Sequence, residues 1–218
     1  MGNNQDIQNV SKATIGRLPA YHRYLKEKMA AGERTVSSTA VAEDLHLNAV
    51  KVRKDLAVIS SVAGKPKLGF SIADLIDGID RILGYDNVTD AVIVGAGGLG
   101  SALVGYGGFK AYGLNIVAAF DNDPERIDTT LGGVKVFDSN DLVRLVRRLN
   151  VLIGIIAVPA SAAQSVADEL VEGGVRAIWN FAPVHLTLPA NIAVKNEDMA
   201  ASLAILSKRL AVILNSEK

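Results

Sequence analysis

The chain has 218 residues, of which 49% are hydrophobic, so it can form one large folded domain or two small ones and is not a disordered chain. It contains no cysteine, which excludes disulfides, zinc–thiolate sites and thiol redox chemistry and fits a reducing cytoplasm. The formal net charge is zero, yet residues 1–84 carry 12 Lys and Arg against 9 Asp and Glu.

We expect neither a secretion signal nor a membrane segment in this chain. Residues 1–6 contain neither a basic stretch nor an apolar one, so we expect no signal peptide. The longest strongly apolar run, residues 151–160, is too short to cross a bilayer. We therefore expect a cytoplasmic protein that does not enter a membrane.

The N-terminal third is predicted to contain a helix-turn-helix. After a helix that begins near Leu18, apolar spacing and capping residues predict a short helix over 39–45 and a turn over 46–48. A second helix is predicted over 49–60. This spacing is typical of domains whose second helix enters the major groove of DNA.

Basic residues cluster on and after that second helix. Lys51, Arg53 and Lys54 are predicted on its exposed face, where Arg53 can read a guanine edge and the lysines can bind phosphates. Lys65 and Lys67 follow in a segment with Gly and Pro that is typical of the wing of a winged helix. The alternative is a small helical lid with an ordinary charged face.

A helix over 71–83, ended by Gly84, is predicted to close this first domain. We therefore divide the chain into a winged-helix domain over 1–84, a nucleotide-binding domain over 85–195 and a C-terminal helical segment over 196–218.

A glycine-rich loop follows a short buried strand over 91–94 and precedes an apolar helix over 101–111. Gly95, Gly97 and Gly100 have the G-x-G-x-x-G spacing. The first glycine allows a sharp turn, the second lets a pyrophosphate approach the backbone, and the third lets the helix pack close to the strand. The helix N-terminus attracts the phosphates. The predicted binding loop is Gly95, Ala96, Gly97, Gly98, Leu99 and Gly100.

An acidic residue ends the next strand. Asp121 lies 21 residues past Gly100, where a carboxylate accepts hydrogen bonds from the ribose of NAD. Its charge would repel a 2′-phosphate, so the sequence favours NAD(H) over NADP(H). Arg126 could in principle reach a 2′-phosphate, but it is interpreted as a solvated helix residue. The alternative is a glycine-rich turn that binds nothing.

Strands and helices alternate through the rest of the chain, which predicts an α/β fold with a doubly wound parallel sheet of the Rossmann type. Ligands of such sheets bind beyond the carboxyl ends of the strands. Further cofactor residues predicted there are Asn122, Val158, Pro159, Asn180, Phe181, Ala182 and Pro183. A final helix over 198–214 has an apolar stripe and is predicted to pack on another domain or subunit.

The chain lacks the residues that a nicotinamide dehydrogenase needs beside its substrate. His185 is the one candidate catalytic residue, because His22 and His46 fall in the N-terminal part. The segments expected near the nicotinamide, 157–159 and 181–183, are apolar. They suit a pocket that distinguishes a neutral dihydronicotinamide from a charged nicotinamide, so we predict no enzyme activity. We also predict no metal site.

Motifs along nearly the whole chain resemble those of the Rex redox-sensing transcriptional repressors of bacteria. They are R-L-P-x-Y-x-R-x-L over 17–25, V-R-K-D-L over 52–56, G-K at 64–65 with G-F at 69–70, G-A-G-G-L-G-S-A-L over 95–103, F-D-x-D-P over 120–124, V-P at 158–159 and N-F-A-P-V over 180–184. Met199 departs from the pattern, since relatives often have Phe there.

The resemblance implies a homodimer that binds palindromic operator DNA when NADH is low and leaves it when NADH rises. It also implies that the C-terminal helix is exchanged between subunits. Tyr106, counted among the cofactor-binding residues, resembles a tyrosine that moves between nicotinamide-dependent states. Arg23 and Asp198 resemble an ion pair between subunits that exists in one state only.

Two other functions remain open at the sequence level. One is a small NAD-dependent oxidoreductase with a helical dimerisation domain, in which His185 would be catalytic. The other is a module that binds CoA or an adenylate, because a glycine loop does not identify the nucleotide.

Overall fold

The structure is a computed structural model that describes residues 10–61, 69–85 and 89–216. The chain divides into two compact units, residues 1–87 and 88–218, which are described separately.

The first unit is helical with one small antiparallel sheet. Its elements are α1 (Lys12–Ile15), α2 (Leu18–Ala30), β1 (Thr35–Val36), α3 (Ser38–Asp44), α4 (Ala49–Ile59), β2 (Phe70–Ser71) and α5 (Ile72–Leu83). Helices α3 and α4 form the predicted helix-turn-helix. The Ser37 hydroxyl accepts the Ala40 N–H at the start of α3, and the Asn48 side chain accepts two N–H groups at the start of α4.

The two strands of this unit were not predicted. Val36 pairs with Phe70 and Thr35 with Ser71, which joins the chain before α3 to the chain after α4. Two residues per strand are too few for a periodic pattern, which explains why the sequence gives no sign of them. The predicted wing tip with Lys65 and Lys67 lies outside the described residues.

The second unit contains a seven-stranded sheet. Its elements are β3 (Thr89–Val94), α6 (Gly98–Gly105), α7 (Gly108–Ala111), β4 (Leu114–Asp121), β5 (Thr130–Leu131), β6 (Val134–Asp138), α8 (Leu142–Leu149), β7 (Ile153–Ile156), α9 (Ala160–Gly173), β8 (Ala177–Asn180), β9 (Ala193–Asn196) and α10 (Met199–Ser216). A short 3₁₀ turn, Ser139–Asp141, precedes α8.

The strand order confirms the Rossmann prediction. The sheet runs β5-β6-β4-β3-β7-β8-β9, and every neighbouring pair except β5–β6 is parallel. Counted from β3, the six parallel strands have the order 3-2-1-4-5-6 of dinucleotide-binding sheets. Successive residues of β3 belong to separate buried clusters, with Val92 and Val94 in one and Ala91 and Ile93 in the other. The sheet is therefore covered on both faces.

One predicted helix is divided in the structure. The segment expected as a single helix over 101–111 forms α6 and α7, with Tyr106 between them in an extended conformation. Glycines on both sides of Tyr106 lower the helix propensity at this point. The predicted strand over 151–158 is also shorter, because only Ile153–Ile156 is paired as β7.

Helix α10 exposes its large apolar side chains, of which Leu206 is 63% exposed. Its length and composition alone would let it cross a membrane. Lys208 and Arg209 lie at its centre, however, where charge in a bilayer is most costly. These two charges make a bilayer span unfavourable for α10.

Candidate functional site

The glycine loop lies where the strand order reverses. It connects β3 to α6, and the neighbouring loop after β7 starts at Ala157, whose N–H donates to Val94 O at 2.8 Å. Because β3 and β7 are adjacent and parallel and their crossovers lead to opposite sides, their carboxyl ends leave a crevice. This crevice is the expected ligand site of such a sheet.

Side chains would not fit at two of the three motif glycines, Gly95 and Gly100. A Cβ on Gly100 would lie 1.8 Å from Gly95 O, and one on Gly95, where φ is +100°, would lie 2.5 Å from Ala157 O. A Cβ on Gly97 would meet only the end of the Arg126 side chain, at 3.1 Å. Gly95 and Gly100 therefore permit the fold of the loop, whereas Gly97 leaves its backbone open to a ligand.

The carboxylate of Asp121 lies beside this loop and is held from two sides. Oδ2 accepts the Ala96 N–H at 2.7 Å, and Oδ1 accepts the Asp123 N–H at 2.9 Å. The residue is 9% exposed. Each oxygen has a second lone pair, so the carboxylate can still accept hydrogen bonds from a ribose.

Arg126 is exposed, as interpreted from the sequence, but it lies in a turn rather than a helix and is paired with two carboxylates. It follows β4 in an irregular turn, and its guanidinium lies 3.6 Å from Asp121 Oδ2 and 3.1 Å from Asp123 Oδ2. This contact depends on the path of the turn over 122–128. The sequence spacing carries no signal of that path.

These groups line a cleft of about 570 Å³. The predicted residues that line it are Gly95, Gly97, Asp121, Asn122, Val158 and Pro159, and Asp123, Arg126 and Ser139 join them. The cleft combines open backbone, the N-terminus of α6, an acceptor for hydroxyl groups and apolar walls. This donor set fits a dinucleotide such as NAD.

Asn180 holds a turn rather than facing the cleft. Its amide nitrogen donates to the carbonyls of Ala182 and Val184 and to Asn196 Oδ1, and its oxygen accepts the Ala182 N–H. The side chain is fully buried. Asn180 therefore fixes the positions of Phe181, Ala182 and Pro183.

Aromatic rings connect this turn to Tyr106. Ring centroids are 4.8 Å apart for Phe181 and Trp179, 5.5 Å for Trp179 and Phe109, and 4.9 Å for Phe109 and Tyr106. The Trp179 indole also donates to Glu197 at 2.9 Å. Tyr106 is thus in contact, through two rings, with the turn predicted to lie near the nicotinamide.

A further cavity of about 260 Å³ is lined by Pro183, His185, Glu197 and Asp198, among others. Its two carboxylates already have partners, because Glu197 accepts from Trp179 and Asp198 accepts the Ala201 N–H at 2.8 Å. Arg23, the predicted partner of Asp198, belongs to the other unit. The ion pair between them stays a prediction.

The outward face of α4 carries the predicted DNA residues. Lys51, Arg53 and Lys54 are all exposed, whereas Val52 and Leu56 are buried. The basic side chains are therefore free to contact a ligand outside the unit.

The inward face of α4 carries a charged residue that the sequence reasoning did not use. Asp55 is buried and accepts hydrogen bonds from Arg17, Thr14 and Tyr21. Burial raises the pKa of Asp55, but these bonds, Arg17 first, outweigh burial and hold the pKa below its usual value. Burial and the bond to Asp55 raise the pKa of Tyr21 to about 12.

A second polar contact is buried between α2 and α5. His22 Nε2 lies 2.9 Å from Asp80 Oδ1, and the Tyr85 ring packs edge-on against the imidazole at 5.4 Å. Burial lowers the pKa of His22 and outweighs the opposing effect of Asp80.

Comparison with protein-family models agrees with the two units. The model described as “CoA binding domain” matches residues 86–184, and the model described as “Putative DNA-binding protein N-terminus” matches residues 9–57.

Relatives match along almost the whole chain. A redox-sensing transcriptional repressor Rex of Desulforamulus reducens is 43% identical, with 93% of this chain and 96% of the relative covered. The Rex repressor of Bacteroides thetaiotaomicron is 36% identical, with 96% and 97% covered.

Solved structures of a Rex-family repressor, RSP, are similar as well. Its complex with β-NAD⁺ and operator DNA matches with a TM-score of 0.87 and 34% identity, covering 95% of both chains. Its complex with β-NADH matches with a TM-score of 0.84 and 33% identity, covering 96% of this chain and 99% of that one.

Proposed function

The chain belongs to the Rex family of redox-sensing transcriptional repressors, and we propose that the residues described above carry out both halves of that function. It is a DNA-binding repressor that senses NADH and NAD⁺. The observation that supports the residue assignment most is the presence, in one chain, of a capped helix-turn-helix and of a nucleotide cleft at the switch point of a Rossmann sheet.

In the DNA-binding half, α4 is the recognition helix. Arg53 reads a base edge in the major groove, and Lys51 and Lys54 bind phosphates. Lys65 and Lys67 act from the wing. Asp55 and its partners Thr14, Arg17 and Tyr21 fix the inner side of the same helix, so the three basic residues keep their direction.

In the nucleotide half, the bound dinucleotide supplies a nicotinamide ring whose charge differs between its oxidised and reduced forms. Gly97 and the N-terminus of α6 bind the pyrophosphate, and Asp121 accepts the ribose hydroxyls. Val158 and Pro159 form an apolar wall, and Asn180 holds the Phe181–Pro183 turn. Tyr106 responds to the ring through Phe109 and Trp179.

We infer a homodimer that reads a palindromic operator. The exposed apolar side chains of α10 would be covered by a second copy, in an exchanged arrangement that also brings Arg23 of one subunit to Asp198 of the other. The recognition helices of the two subunits, called the readers below, must lie about 34 Å apart, or a multiple of this, to bind one face of a duplex.

NADH releases DNA by a population shift in this proposal. It binds more tightly to the dimer whose readers do not match the operator spacing, and it can shift the equilibrium only by its difference in affinity for the two forms. An almost complete switch needs a difference of about 10⁴-fold. The chain performs no turnover, and it acts in the cytoplasm, where it meets both the chromosome and the NADH pool.

The test is DNA-binding anisotropy with a fluorescent palindromic A/T-rich duplex, at fixed salt because phosphate contacts make affinity salt-dependent. The protein should bind the duplex in the presence of NAD⁺. NADH should then release the duplex, and NADPH should release far less of it. Equal release by NADH and NAD⁺ would contradict the mechanism.

Two further outcomes identify the alternatives. Hydride transfer to a substrate that is lost in His185→Ala would support an oxidoreductase. Asp121→Ala should weaken NADH binding strongly, whereas tight CoA binding that ignores this change would support a CoA module.

A further inference from the structure

Arg126 is the one cation among the described residues that line the nucleotide cleft. It contacts Asp121 and Asp123 through a side chain that is 44% exposed. Ion pairs at this exposure are weak, so the guanidinium can exchange these carboxylates for another anion.

The guanidinium lies between Gly97, where the pyrophosphate is expected, and Asp121, where the ribose is expected. Nη1 lies 3.1 Å from where a Cβ on Gly97 would stand, and 3.6 Å from Asp121 Oδ2. A ribose whose hydroxyls are bonded to Asp121 has its 2′ oxygen next to that carboxylate. A phosphate on the 2′ oxygen would therefore be within reach of Arg126.

Asp121 cannot turn away from such a phosphate. Its two oxygens are fixed by the N–H groups of Ala96 and Asp123, so its charge stays at the ribose position. Only the arginine can adapt. A guanidinium binds phosphate through two parallel hydrogen bonds, and a nearby cation offsets the repulsion from the carboxylate.

We propose that Arg126 determines how strongly this chain discriminates between NADH and NADPH. It serves as the cationic partner of the 2′-phosphate. The preference for NADH over NADPH is therefore weaker than in a site with Asp121 and no arginine. With NADH, the guanidinium keeps its two carboxylates and adds little. The inference rests on the proposed nucleotide function of the cleft.

The test is calorimetric binding of NADH and of NADPH to the full chain. Arg126→Ala should weaken NADPH binding about tenfold or more, the size of a lost charged hydrogen-bonding pair, and NADH binding less than about threefold. Arg126→Lys keeps the charge and should retain most of the NADPH affinity. The matched control is Arg144→Ala, which removes an exposed arginine paired with Asp141 that does not line the cleft, and should change neither affinity.

A double-mutant cycle with Asp121→Asn makes the test independent of how weakly the unmodified chain binds NADPH. Asp121→Asn should raise the affinity for NADPH when Arg126 is present. In the Arg126→Ala background, the same substitution should raise the affinity for NADPH much less. Far-UV circular dichroism should be the same for all variants, which shows that they fold.

Equal losses for NADH and NADPH in Arg126→Ala, or no loss for NADPH, would overturn the inference and leave the NADH-sensing function intact. The same holds for additive effects in the cycle and for an Asp121→Asn variant that fails to bind NADPH. Failure of the unmodified chain to bind NADH would instead overturn the proposed function itself.

Discussion

The guanidinium of Arg17 donates two hydrogen bonds to the carboxylate of Asp55, from Nε to Oδ2 at 2.7 Å and from Nη2 to Oδ1 at 2.9 Å. Thr14 and Tyr21 add hydrogen bonds of 3.0 and 2.8 Å to the same carboxylate. Asp55 follows Arg53 and Lys54 on α4, so this buried cluster sets the rotation of the helix that faces DNA.

Asp55→Asn should lower the free energy of unfolding of the DNA-binding unit by about 3 kcal/mol. The change keeps the size of the side chain but leaves the Arg17 charge without a charged partner. Urea unfolding measures the effect. The control is Asp141→Asn, at an exposed ion pair with Arg144, which should cost less than about 0.5 kcal/mol.

Acid titration gives a second readout of Asp55. The pKa of Asp55 is held below its usual value of about 3.9. Its contribution to the free energy of unfolding is therefore fully present above that pH and is lost as the pH falls through the lowered pKa. Asp55→Asn should remove this part of the acid destabilisation. An unchanged acid profile would show that the charge of Asp55 is not what holds the helix.

Gly97→Ala should weaken NADH binding about tenfold or more and leave the melting temperature nearly unchanged. The added methyl group meets only the movable end of Arg126, so the loop still folds, but it occupies the space through which a pyrophosphate approaches. Gly98→Ala is the control, because a Cβ there meets no atom within 4 Å and the backbone N–H is kept. Similar losses in both variants would show that the loop binds by another surface.

Arg53→Ala and Lys51→Ala should have different effects on DNA binding. Arg53→Ala should relax the preference for operator over random duplex, by about 1–3 kcal/mol at one base position. Lys51→Ala should weaken binding to both duplexes alike and lower the slope of log affinity against log salt by about 1. The control is Arg148→Ala in the other unit, which should change neither quantity. Identical effects of the two variants would contradict the assigned roles.

The stability of the first unit should fall as the pH drops below the ordinary His pKa of about 6.5. Burial lowers the pKa of His22, so below that pH the unfolded chain binds a proton that the folded chain does not. Lys26 on the same helix lowers the pKa further and Asp80 on α5 opposes it. His22→Gln should flatten the dependence of the urea midpoint on pH between about 5 and 8. A slope kept in His22→Gln would assign the effect to another group.

The sequence predicted the elements whose ends depend on local signals. Helix α4 begins after its cap Asn48 as predicted, and α5 ends at Gly84, which has the left-handed conformation expected of a terminating glycine. The alternation of apolar strands with helices predicted the Rossmann sheet. The distance of Asp121 from the glycine loop along the chain predicted its position beside that loop. All these features lie within a few residues or follow a known spacing.

The missed features depend on contacts between distant parts of the chain. Arg17 and Asp55 are 38 residues apart, and neither residue type indicates burial. Arg126 meets Asp121 only because the turn after β4 folds back over the loop. The break at Tyr106 results from its packing on Phe109 as well as from the flanking glycines. Periodicity and spacing contain no information on such contacts.

Trp179 is the only tryptophan of the chain, and it lies on β8 in ring contact with Phe181 and Phe109. The indole emission of the protein thus comes from a single residue, situated in the nucleotide unit. Dihydronicotinamide absorbs in the range where indole emits, and the oxidised ring does not. The unlabelled protein should therefore act as its own optical indicator: NADH should quench the emission of Trp179 by energy transfer, and the oxidised cofactor has no such route.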